Sequence, residues 1–405
     1  MVISDVIICD ARGERRGDVR IEEGIITQIG ENLTDAEIIP ATGCYLLPGL
    51  VDTNVRLKDS QLSRTNLEKL SRRALNGGVT TAVLASDTVP RIDDEITLEF
   101  VQQHRYLANG ATIEATVSAL DDKGALSNIA IMLKKGSLAV HTSTLTDYNL
   151  LSRIAQYLKM TKKALFYKAE DASLFESGVM SDGNIATRLG LPGISPLSEI
   201  VHVASMIEIA RHFQIHIVFK SVTEPRSVEL IAQAASEGVD VECEVSIHHL
   251  LHSDEACGGF DSDAKINPPL VSAAKQHYLL EALKEGKINS ITALHQPNSD
   301  VHKDITFFDA SFGTTSIGEY LPLCYTHLVK SGMVTMNRLM DLASRAPAAQ
   351  VGLSAGIIEI GKEADFILFD PDMKTPVNHH HSLYKNEILD GKVIMAFCRG
   401  EVMRL

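Results

Sequence analysis

The sequence predicts an α/β fold: a parallel (β/α)8 barrel carrying a small β-sandwich domain built from both chain termini. Three observations lead there. The first ~47 residues alternate short β-rich runs with turns: Val2–Asp10 is followed by Gly17–Gly30, apolar and polar residues alternate, and glycines fall where hairpins reverse. The chain end repeats the style in Gly361–Asp370 and Gly391–Gly400. The middle differs, because strand-sized apolar runs alternate with helix-length segments. Thr80–Leu84, Ala164–Tyr167, Ile215–Phe219 and Val239–Val245 read as strands, and Asn66–Leu75, Tyr148–Leu158, Pro196–His212 and Ser227–Glu237 as helices. Near-continuous apolar strands are covered on both faces, and such alternation over ~300 residues favours a closed barrel. The predicted division is 1–47 plus 355–405 for the sandwich and 48–354 for the barrel. In such barrels the chemistry sits at the C-terminal ends of the strands.

Composition narrows the function classes. The 405 residues carry 38 Lys+Arg against 52 Asp+Glu, a formal charge of −14. That balance argues against nucleic acid and against an anionic membrane surface, since phosphate binding needs a basic face. No apolar run approaches the ~20 residues of a transmembrane helix, and the first residues lack the layout of a signal peptide. The six cysteines form no CxxC pair and read as reduced thiols, so a cytoplasmic protein is expected. There is no GxxxxGK[ST] loop and no GxSxG elbow. Fifteen histidines invite a metal-enzyme reading that has to be tested position by position.

Leu47-Pro48-Gly49-Leu50-Val51-Asp52 after the β-rich start resembles the first barrel strand of the amidohydrolase superfamily. Gly77-Gly78-Val79-Thr80-Thr81, Ala169-Glu170-Asp171, Leu189–Ile194 with Glu199, Glu244–Leu251, Asn267-Pro268-Pro269-Leu270 and Gly361–Asp365 narrow the resemblance to the dihydroorotases of pyrimidine biosynthesis, in order along the whole chain. The resemblance implies hydrolysis and closure of a cyclic amide by two zinc ions, bridged by a carboxylate or carboxylated lysine, with imidazole and carboxylate ligands at ~2.0–2.2 Å.

The ligand positions that the resemblance assigns have changed. His-x-His-x-Arg should follow Thr53, but Asn54 and Arg56 stand at the histidine positions. Thr142 takes the bridging position, Lys168 and Lys220 take two further histidine positions, and Leu294 takes the position of the catalytic aspartate. His248 is the one direct-ligand candidate retained. The expectation is therefore no catalytic residue, no metal site and no cofactor. Leucine cannot take a proton from water.

The cations left behind suggest an anion pocket of Arg56, Lys58, Lys168, Lys220, Asn267 and His295; the plainer alternative is that they pair with carboxylates such as Glu170 and Asp171. His379-His380-His381 reads as a solvated loop. Inactive homologues of this family act as structural partners of aspartate carbamoyltransferase, so the resemblance implies that partner and a homo-oligomer. The alternatives are an active cyclic amidohydrolase with an atypical or mononuclear zinc site, and an anion- or metabolite-binding protein.

Overall fold

The computed structural model describes residues 1–143, 147–174 and 177–404. Eight parallel strand positions run through the middle of the chain. They are Leu50–Val55, Val79–Leu84, Thr112–Ala115 continued by Val117–Ser118, Val140–Ser143, Leu165–Lys168, Ile217–Phe219, Val241–Ser246 and Ser290–Thr292. Every residue of Leu50–Val55 and of Val79–Leu84 is buried, as expected of strands covered on both faces.

The last strand closes on the first through side-chain and backbone bonds. The Asp52 carboxylate accepts from Thr292 Oγ1 at 2.6 Å and from the Ala293 amide at 2.9 Å. The Arg56 amide donates to the His295 carbonyl at 2.8 Å. Asp52 is wholly buried, which raises its pKa.

The helices follow from spacing and caps. Arg64–Asn76 buries Leu67, Leu70, Ser71, Ala74 and Leu75, one stripe at helical spacing, and Ser63 Oγ caps its start by accepting from the Asn66 amide. It ends where the chain must turn sharply. A Cβ on Gly77 would lie 1.8 Å from the Ile317 carbonyl oxygen, and Gly78 has φ +81°, so the Gly-Gly pair is required by both space and conformation. The other helices foreseen from the sequence form at Tyr148–Thr161, Leu197–Phe213 and Pro225–Ser236.

Both chain ends build the second domain. One hydrogen-bonded path runs Glu401–Arg404, Ile388–Cys398, Phe366–Pro376, Tyr45–Pro48, Val2–Asp10, Gly13–Glu22, Ile25–Gly30. The two ends meet where Phe366 faces Pro48 and Phe369 faces Tyr45 in antiparallel register. Ile3, Val6, Ile8, Leu46, Phe366 and Phe397 are in its core, with the two phenylalanine rings 4.4 Å apart. The fold is thus a (β/α)8 barrel with a small β-sandwich drawn from both termini. Among the described residues, no helix is long and apolar enough to cross a membrane.

Candidate functional site

The residues just beyond the strand ends form the barrel mouth. Asn54, Arg56, Lys168, Lys220 and Leu294 line one space together with His141, Ser221 and Asn267. Their side chains fill it, leaving no room for a water-sized sphere. The cations are individually paired. Arg56 Nε donates to Asp87 at 2.9 Å, Lys168 Nζ lies 2.7 Å from Glu170, and Lys220 Nζ contacts Glu244.

Further bonds knit these pairs into a network. Asn54 Nδ2 donates to Glu244 Oε1 and to Ser221 Oγ, both at 2.9 Å, while its carbonyl accepts from Arg56 at 3.0 Å. Lys220 also donates to Thr53 Oγ1 at 2.8 Å and lies 4.2 Å from the centre of the Phe166 ring. Asn267 Nδ2 donates to Glu170 at 3.2 Å. Three cations thus meet three carboxylates, which offsets the cost of burying charge.

Burial sets the direction of most of the pKa shifts here. It lowers Lys220 against the pull of Glu244, and lowers Lys168 against Glu170. Burial opposes ionisation of Asp87, but Arg56, His141 and Lys168 outweigh it and hold the carboxyl at about 2. His141 is pushed down to about 4 by burial and by Arg56, Lys220 and Lys168, with Asp87 opposing. Its Nδ1 is 3.0 Å from Ser86 Oγ. This imidazole is neutral at pH 7 and surrounded by cations.

Of the other candidates, Leu294 belongs to this mouth, whereas Thr142, His248 and His295 do not line it. Thr142 donates to the Ser143 carbonyl at 3.3 Å. Leu294 is buried, with φ +44°, in a turn where its amide donates to Thr292 Oγ1. His248 is fully buried, 2.9 Å from the Tyr384 hydroxyl through Nδ1, and burial holds its pKa well below the ordinary imidazole value. His295 Nδ1 accepts from the Ser316 and Ile317 amides at 3.1 and 3.3 Å. The six residues foreseen as an anion pocket are therefore divided. Lys58 and His295 do not line the filled space but a second cavity of about 710 Å³, which Arg56 also borders. Asp171 faces His202 at 3.4 Å instead of a lysine. His379–His381 is not simply a solvated loop, because His381 is buried against Asp263.

A dinuclear zinc centre needs imidazole and carboxylate donors with free lone pairs. The residues at this mouth do not fit one. They present two amides, a guanidinium, two ammonium groups, a hydroxyl and a leucine side chain, with one imidazole among them. The three carboxylates are each held by a cation.

Sequence reasoning missed Glu244 and Asp87 as counter-ions and His141 as a lining residue. The signal for Glu244 was present: it is an acid within the run Val239–Val245 read as a covered strand, where a buried charge needs a partner. Asp87 and His141 carried no local signal.

The model of the amidohydrolase family matches residues 45–403. A dihydroorotase of Caldanaerobacter subterraneus subsp. tengcongensis is 32% identical over 384 residues, covering 92% of this chain and 88% of that protein. One from Acetivibrio thermocellus is 30% identical over 420 residues, covering 100% and 98%. Among solved structures, the L-hydantoinase (dihydropyrimidinase) from Arthrobacter aurescens superposes with a TM-score of 0.87 at 21% identity, covering 99% of this chain and 95% of that one. The dihydropyrimidinase from Brevibacillus agri gives 0.86, also at 21% identity, with 100% and 95% covered. The chain belongs to the amidohydrolase family, among its dihydroorotase-like cyclic amidohydrolases.

Proposed function

We propose that this chain is a non-catalytic member of the dihydroorotase branch and serves as a structural partner of aspartate carbamoyltransferase in pyrimidine biosynthesis. The observation that carries the first half is the mouth itself. Lys168 and Lys220 stand where the resemblance expects zinc ligands, each against its own carboxylate, and the space between them is filled. A hydrolytic water would need a base and a Lewis acid there. Leu294 supplies neither.

The partner half rests on the resemblance and on the retained fold. A chain that has replaced its reactive groups yet keeps the Gly77-Gly78 turn and the Asp52 closure behaves as a scaffold whose stability and surface still matter. Gel filtration of the pure chain with the cognate transferase tests it. Co-elution with a change in transferase activity is the expected result; separate elution with unchanged activity contradicts it.

A second reading, anion binding, is favoured by the larger cavity. Lys58, Lys69, Arg72, Arg73 and Lys392 line its about 710 Å³, with Glu319 the one acid among the lining residues. Among the described residues, Lys58, Lys69, Arg72 and Lys392 form no ion pair, in a protein whose net charge is −14. A phosphorylated metabolite suits such a cavity.

A further inference from the structure

We propose a divalent transition-metal site, with zinc as its first-choice ion, built from His380, His381 and Asp304 with Asp300 as fourth donor. None of these residues lines the filled space around Lys168 and Lys220. Asp304, His380 and His381 each offer a ligand atom, and the three atoms lie within 4.8 Å of one another. His381 Nε2 is 3.0 Å from Asp300 Oδ1 and 3.9 Å from Asp304 Oδ1, and His380 Nε2 is 3.8 Å from Asp304 Oδ2. Tetrahedral bonds of ~2.1 Å place donors roughly 3.4 Å apart, so these separations straddle what an ion would impose.

The chemistry behind the donors strengthens the assignment. His381 is buried, and its Nδ1 lies 3.2 Å from the Asp263 carboxylate, itself buried. A carboxylate behind an imidazole fixes the ring and its tautomer and turns the other nitrogen outward as a ligand. With the Nδ1 proton given to Asp263, the Nε2 lone pair faces the carboxylates of Asp300 and Asp304. That arrangement is repulsive unless a cation lies between them. A bound divalent ion would supply that cation.

Imidazole with carboxylate suits zinc better than magnesium or calcium, which prefer all-oxygen shells. One neighbour competes. Lys385 Nζ donates to His380 Nδ1 at 3.1 Å, which leaves the His380 proton on Nε2. Lys385 is exposed and must turn away for His380 to ligate. A filled site would clip the loop between the strands Phe366–Pro376 and Ile388–Cys398 to the helix Asp300–Lys303, which comes after the last barrel strand.

The test is titration of Zn2+ into the metal-stripped full chain against a chromophoric chelator, with Co2+ spectra to report geometry. One ion per chain, tetrahedral Co2+ absorption and a raised Tm are expected. Asp304→Asn replaces an exposed side chain and leaves the fold intact; it should weaken binding at least ~10-fold, as should Asp263→Asn behind His381. Lys385→Ala should bind as tightly or more tightly, and His212→Ala, at an exposed histidine elsewhere, should change nothing. No saturable binding overturns the proposal. So does stoichiometric binding that Asp304→Asn leaves unchanged.

Discussion

Lys220 and Glu244 form an ion pair at the ends of neighbouring barrel strands, with side chains only 3% and 1% exposed. Neither charge can be solvated by bulk water, so each depends on the other. Removing one partner strands the remaining charge, which typically costs about 3–5 kcal/mol. Lys220→Ala should destabilise the fold by that order in urea unfolding. The double variant Lys220→Met, Glu244→Gln should be less destabilised than Lys220→Ala alone, because the glutamine carbonyl can still accept from Asn54 while its amide donates to the Thr53 hydroxyl that Lys220 leaves. A double variant as unstable as the sum of the two single variants would show that the pair is not coupled.

Acid should unfold this protein through its buried histidines. Burial lowers His141, His249 and His252 from 6.5 to about 4 each. Between those values the unfolded chain binds protons that the folded chain refuses. Their contribution is therefore whole above about pH 6.5 and is lost as pH falls through about 4, at roughly 1.4 kcal/mol per unit for each group. Urea midpoints measured across that window should fall with pH, and His141→Gln should flatten the slope. An equal slope in the variant would show that His141 takes up no proton on unfolding in that window.

The cationic cavity should bind inorganic pyrophosphate in a salt-dependent way. Lys69→Glu with Arg72→Glu, both at exposed positions on the helix Arg64–Asn76, should abolish that binding without loss of fold. Calorimetry at two salt concentrations reads it. Binding that ignores both the salt and the variant would place the anion elsewhere.

Much of this architecture is legible in the chain, for reasons that are local. The strand Val241–Ser246 is announced by its apolar run, and the helix Arg64–Asn76 by its stripe and the Gly77-Gly78 stop. That Asn54, Lys168, Lys220 and Leu294 meet at one mouth is legible through the motifs that flank them. Their partners are not. Glu244 lies 24 residues beyond Lys220, and Asp87 lies 31 beyond Arg56, so which carboxylate meets which cation is decided by strand order and not by spacing. The assignment of Lys58 and His295 to one pocket with Lys220 failed for a related reason. Both come after strand ends, but the His295 ring turns to the amides of Ser316 and Ile317. The His380–His381 loop read as solvated because Asp263, Asp300 and Asp304 are remote in sequence.

The most direct test of the central claim is dihydroorotate turnover by the pure chain, with zinc, cobalt or manganese added in turn. No turnover above buffer is predicted with any of them. Turnover that rises with added zinc, and persists in Asp304→Asn, where the surface site is removed, would contradict it.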